Sequence, residues 1–199
     1  AVVLDLLLES VDLTAKFVSD YNLGTGLIIA FLLATMAAVL VHVLAGKLRL
    51  LKELDTFSRD TVARLNPSLL QICAISLAAG WGEEILFRGV IQDVMGLVIT
   101  SLLFAGLHVG FRFSVPILRI YASAVFVMSL LLGVISDRYG LPVAMMAHTI
   151  WDLTMLILIR RTISCDTAHP VGSGHFDSPG GQPYEKESGY QEQSDVIQD

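Results

Sequence analysis

Between Asn22 and Gly46 the chain reads NLGTGLIIAFLLATMAAVLVHVLAG, a stretch with no charged side chain and a single histidine, His42. A hydrocarbon core about 30 Å thick is crossed by about 20 residues of helix, so this block is long enough to span a bilayer. The rest of the composition agrees. Of 199 residues 54% are hydrophobic and 16% charged, and the mean hydropathy is +0.66. A water-soluble globule of this length does not carry such a balance. The formal net charge of -6 comes largely from acids near the two ends. It says little about topology, and it argues against nucleic acid as a partner. Cys73 lies in an apolar run and Cys165 in a polar one, so they imply neither a disulfide nor a metal site.

Working outward, residues 1–22 place Asp5, Glu9, Asp12, Lys16 and Asp20 at steps of three or four between Val, Leu and Phe. One polar stripe on an apolar helix predicts an amphipathic, interfacial segment, and the basic region of a secretory signal is missing. After the first span come Lys47, Arg49, Lys52, Arg59 and Arg64. Asn66 and Pro67 then offer an N-cap and first-turn proline for a second helix, read as 67–94. Gly96 breaks the pattern, and a shorter apolar segment follows to about Phe113. A fourth span covers about Val115 to Ile135, and a fifth begins at Pro142 and stops at Arg160 and Arg161. The expectation is an all-α polytopic bundle of about five spans over 23–161. Residues 162–199, rich in Gly, Ser, Gln, Pro and acids, read as a disordered tail. The positive-inside rule puts 47–64, 111–119, 160–161 and the tail in the cytoplasm, with Lys16 and Arg138 on the other side. In a bacterium the host would be the plasma membrane.

Inside these spans stand Glu83, Glu84, Arg88, His108, His148 and Asp152. Each ionisable group near the bilayer centre costs on the order of 3 kcal/mol unless paired or hydrated. Glu84 and Arg88 are four apart, as are His148 and Asp152, so each pair shares a helix face. Depth can be counted at about 1.5 Å per residue. Glu83 and Glu84 precede Gly96 by about a dozen residues and His108 follows it by as many, so both levels lie roughly 18 Å from that surface. His148 and Asp152, counted from Gly140, fall at roughly 12 and 18 Å. Three helices thus bring carboxylate and imidazole to one level. Gly82, Gly89 and Gly96 at steps of seven, and Gly106 with Gly110 as a GxxxG, read as positions of close helix approach.

The segments GWGEEILFRG (Gly80–Gly89), FAGLH (Phe104–His108) and HTIWD (His148–Asp152) carry EExxxR, FxxxH and HxxxD in order on successive apolar helices. This set resembles the CPBP family of CAAX proteases and bacteriocin-processing proteins, also called Abi proteins, over a core at 67–159. The resemblance implies an intramembrane glutamate peptidase. In it Glu83 and His108 activate a water, His148 and Asp152 stabilise the oxyanion, and the substrate is a membrane-associated or lipid-tailed peptide. It implies no cofactor. Asp152 stands where the motif also carries Asn, and an ionised carboxylate repels an oxyanion that an amide would bind. A divalent ion held by two His and two carboxylates is the alternative that this departure keeps open. Two other function classes remain: a non-catalytic immunity or interaction protein that keeps the site, and a proton-relay transporter. No inverted repeat supports the transporter.

Overall fold

The computed structural model describes residues 12–17, 22–48 and 51–168, and every regular element among them is helical. The expected polar stripe of residues 1–22 falls mostly outside this range. So does the tail from 169, and with it His169 and His175.

The short α1, Leu13–Lys16, is capped by the Asp12 carboxylate, which accepts from the backbone N–H groups of Thr14 and Ala15. The long α2, Leu23–Lys47, starts at Asn22, whose side chain accepts from Thr25 N. It buries Gly26, Ala30, Ala34, Ala38 and Ala45, while Ile28, Phe31, Leu32, Met36 and Leu40 stay exposed. A seam of small residues on one face and bulky apolar ones on the other is what a lipid-facing helix needs to lie close to a neighbour. That neighbour is the last helix.

The basic stretch expected as a loop contains a helix, α3, Lys52–Leu65, with Glu53 and Asp55 in its first turn and Arg64 in its last. These charges complement the helix dipole. Asn66 ends α3 in the left-handed conformation (φ 40°) rather than starting the next helix. That start belongs to Ser68, in a reciprocal capping box with Gln71. Both Asn and Ser favour N-caps, and the Gln three residues on decides between them.

From Ser68 the chain runs through α4, Leu69–Leu86, a π-helical turn Phe87–Ile91, and α5, Gln92–His108. A straight helix would separate residues 83 and 108 by roughly 38 Å, yet Glu83 Oε2 lies 3.7 Å from His108 Nε2. The reversal occurs at Gly96, whose φ of 74° and ψ of 164° interrupt α5. A Cβ at that φ is strongly disfavoured, so the fold needs glycine there. The returning arm, 97–108, is only about 18 Å long. The third expected span therefore ends at His108, short of Phe113 and short of a full crossing, and the loop 109–115 completes the return.

α6, Pro116–Tyr139, and α7, Leu141–Ala168, form the last pair, joined at Gly140 (φ 89°). α7 continues past Arg161, where the tail was expected to begin. Among the described residues four helical stretches are long and apolar enough to cross a membrane: Leu23–Lys47, Leu69–His108, Pro116–Tyr139 and Leu141–Cys165. Their ends sort into two levels. Gly26 approaches Tyr139 and Val143, Gln92 Nε2 donates to Asp137 Oδ1 at 2.9 Å, and Lys16 pairs with Asp93. At the other end Thr162 lies 3.3 Å from His42 Nε2.

The close approach between α4 and α7 runs through Gly80. A Cβ there would strike the side chain and backbone N of Thr149 and the carbonyl of Met145. Of the expected heptad of glycines only Gly89 marks a close approach, since a Cβ there would meet the side chains of Leu13 and Leu141; Gly82 has open space around it and Gly96 makes the turn.

Candidate active site

The two adjacent glutamates point to different surroundings because neighbouring positions on a helix lie about 100° apart. Glu84 faces the bundle interior, where its side chain is fully buried. Arg88, one turn on and equally buried, brings Nη1 to 3.2 Å from Glu84 Oε1. The π-helical turn that begins at Phe87 carries Arg88 toward α6, where Nη2 donates to the carbonyl of Ser129 at 2.8 Å and to its hydroxyl at 2.9 Å. The guanidinium carbon also sits 4.8 Å from the centre of the Phe104 ring. From α7, His148 Nδ1 donates to the same Glu84 oxygen at 2.8 Å. A carboxylate, a guanidinium and an imidazole from three helical stretches thus form one buried clamp. Glu84 Oε2 has no hydrogen-bond partner among the described residues.

Glu83 is the more open member of the pair, its side chain 34% exposed, while its Oε2 is turned inward and has no hydrogen-bond partner among the described residues. Its Oε2 lies 3.7 Å from His108 Nε2 and 4.0 Å from His148 Nε2. Asp152 Oδ2 approaches the same His148 nitrogen at 3.6 Å. These separations exceed those of direct hydrogen bonds, so the groups converge without being bonded to one another.

The ring orientations follow from what the other nitrogens do. His108 Nδ1 lies 2.9 Å from the carbonyl of Phe104, which only accepts, so Nδ1 carries the proton and the Nε2 lone pair faces Glu83. The Phe104 ring stacks on His108 with centroids 4.3 Å apart and meets His148 edge-on at 6.2 Å. Phe104, fully buried, is the common wall of the site.

All six ionisable residues that the sequence singled out come together, in two layers: Glu84, Arg88 and His148 buried, Glu83, His108 and Asp152 partly open. Among the described residues no group of three His, Cys, Asp or Glu is arranged to hold a metal ion. His42 lies apart, beside Thr162.

Sequence reasoning passed over Ser129 and Tyr121. Ser129 is one of several hydroxyls in α6, and nothing in the sequence separates it from Ser123 or Ser136. Tyr121 packs against the Phe87–Phe104 cluster and stands within electrostatic reach of Asp152 and Glu83. A tyrosine in an apolar span reads equally well as an interfacial anchor.

Residues 65–154, which contain this whole site, match the family model "Type II CAAX prenyl endopeptidase Rce1-like". Among curated proteins, YpbD of Bacillus subtilis (strain 168), itself uncharacterized, is 41% identical over 95 residues, covering 47% of this chain and 48% of the relative. The match thus spans about half the length of that relative. No solved structure matches the chain.

Proposed function

We propose that this multi-pass membrane protein, whose residues 65–154 match the Rce1-like family model, is a membrane peptidase of the CPBP type. It hydrolyses a peptide bond of a membrane-associated or lipid-tailed peptide with a water activated by Glu83 and His108. The observation that carries this reading is the contrast in the glutamate pair. Glu84 is buried in its clamp, whereas Glu83 is open and 3.7 Å from an imidazole nitrogen whose lone pair faces it.

In the proposed step, a water between Glu83 and His108 gives a proton to the Glu83 carboxylate as its oxygen bonds to the scissile carbonyl carbon. The carbonyl oxygen becomes an oxyanion. His148, held by Glu84 at Nδ1, carries a proton on Nε2 and donates it as a hydrogen bond to that oxyanion. The C–N bond then breaks, and the proton taken from water passes to the leaving amine. Asp152, beside His148 Nε2, balances the imidazolium in the resting site. Arg88, itself bonded to Ser129, holds Glu84 by an ion pair, so that Glu84 orients His148 and stays out of the proton transfer.

The test is cleavage of a peptide library by the purified full chain in lipid. Glu83→Gln should abolish the products that the wild type forms. A second reading rests on Asp152, a third carboxylate where an amide would serve an oxyanion better: the chain keeps the site as a non-catalytic immunity or interaction protein. Cellular function retained by Glu83→Gln would favour it.

The orientation we propose puts Lys47, the α3 segment and Arg161 on the cytoplasmic side. Arg59→Cys should escape labelling from outside the cell, and Tyr139→Cys should react. The opposite pattern would invert the molecule.

A further inference from the structure

His108 is the last residue of α5, and the turn after it is built with unusual care. Phe111 N–H donates to the Gly106 carbonyl at 2.8 Å and Gly110 N–H to the Leu107 carbonyl at 3.1 Å. This is the paired bonding of a Schellman turn, with Gly110 (φ 56°) in the left-handed position. The next residue is also left-handed: Phe111 has φ 54°, a conformation that a bulky side chain takes only when its surroundings impose it. In that conformation the ring, 56% exposed on its outer side, is seated on Gly106. The three heavy atoms nearest to where a Gly106 Cβ would stand all belong to the Phe111 ring, which therefore lies directly on the glycine. Phe113 braces that ring edge-on, with centroids 6.3 Å apart. The Gly106/Gly110 pair, read from sequence as a place where two helices meet, instead seats an aromatic ring and makes a turn.

We propose that Phe111 is a positioning residue for His108. Its ring on Gly106 locks the end of α5, and so keeps the His108 Nδ1–H on the Phe104 carbonyl and Nε2 directed at Glu83. Loss of the ring frees the final turn. His108 then samples other tautomers and orientations, although nothing in contact with substrate has changed.

The test uses the full chain in lipid nanodiscs, with two readouts. The kinetic one rests on the peptidase reading above. Phe111→Ala should lower kcat roughly 10- to 100-fold, the range that a misplaced catalytic group produces, with KM within about twofold. Phe111→Leu, which refills the seat with an apolar side chain, should recover most of the loss. Gly106→Ala should resemble Phe111→Ala because the methyl evicts the ring, and the double variant should be no worse than Phe111→Ala alone.

The second readout needs no activity. Histidine 15N NMR, with the His108 signal identified by its loss in His108→Gln, should show one Nδ1–H tautomer in the wild type and a mixture in Phe111→Ala. An unchanged His108 signal in Phe111→Ala overturns the proposal, whatever happens to kcat. Cleavage retained by Glu83→Gln overturns the peptidase reading and leaves the NMR result to decide this one. Should Phe111→Ala fail to fold, Gly106→Ala carries the same two measurements with every other side chain in place.

Discussion

Glu83 and Glu84 are neighbours in sequence and opposites in setting. Around Glu84 the partners of Oε1 are close and fixed: Arg88 at 3.2 Å, His148 at 2.8 Å, and beyond Arg88 both acceptors of Ser129. Around Glu83 the partners stand off at 3.7 and 4.0 Å and a third of the side chain is exposed. The first arrangement is bonded closely enough to hold helices together. The second is loose enough to admit a reacting molecule. A site of this kind needs both, because an open carboxylate acts on substrate only if the imidazoles opposite are held still.

The sharpest way to break this comparison is Glu83→Gln. Loss of a positioned general base lowers turnover about 10²- to 10⁴-fold, while thermal stability in lipid should stay within about 0.5 kcal/mol of wild type, as for other partly exposed positions. A large stability loss, or undiminished turnover, would show that Glu83 belongs to the scaffold.

Next in size is the converse. Arg88→Met removes the cation and leaves the Glu84 carboxylate buried without its counter-charge, a change that costs about 3 to 5 kcal/mol. Unfolding monitored by thiol reactivity should move accordingly. The engineered pair Arg88→Met with Glu84→Leu should recover part of the loss in stability and none of the activity, since His148 then lacks its orienting acceptor. If Arg88→Met alone folds as stably as wild type, the clamp is not what holds α4 to α6 and α7.

The clamp was legible in the sequence because it is paid for in ionisable groups. Six such residues in apolar helices have few physical explanations, and counting depth from Gly96 and Gly140 already placed Glu83, Glu84, His108, His148 and Asp152 at similar levels. What carries no charge was harder to read. Ser129 holds Arg88 with one hydroxyl and one carbonyl, and neither leaves a mark that another serine in an apolar helix would not. The helix following Gly96 was read through to Phe113 because its apolar pattern continues. The left-handed turn at Gly110 and Phe111 ends it, and periodicity does not encode a turn. In α3 the basic residues mark the side of the membrane, while the order of the charges, acids first and base last, is that of a helix with its dipole complemented.

A smaller effect sharpens the comparison through the backbone that carries both glutamates. Gly80 lies against Thr149 and the Met145 carbonyl, whereas Gly82, two residues on, has open space. Gly80→Ala should therefore destabilise by about 1 to 3 kcal/mol, as overpacking does. It should also lower turnover by pushing α7, and His148 with it, off the clamp. Gly82→Ala should change neither by more than about 0.5 kcal/mol. Equal effects at the two positions would mean that α4 presents a different face to α7, and with it a different glutamate.

The smallest expected change tests the open layer where it departs from a neutral donor. Asp152 Oδ2 lies 3.6 Å from His148 Nε2, and the side chain is 27% exposed. Asp152→Asn replaces a negative group with one that donates to a developing oxyanion. A fully engaged donor is worth roughly 3 kcal/mol in a transition state. Here His148 already faces the same point and Asp152 is partly hydrated, so the gain should be smaller: a rise in kcat of about tenfold at most, or ~1.4 kcal/mol. Two opposing terms set the sign. The amide adds a donor and removes a repulsion, but it also removes a charge beside His148, and the first two outweigh the third only modestly. A divalent ion bound by the carboxylates predicts the reverse, because Asp152→Asn then deletes a charged ligand. Falling activity in Asp152→Asn, together with wild-type activity that a chelator removes and added metal restores, would replace the water-activating glutamate with a metal as the centre of the open layer.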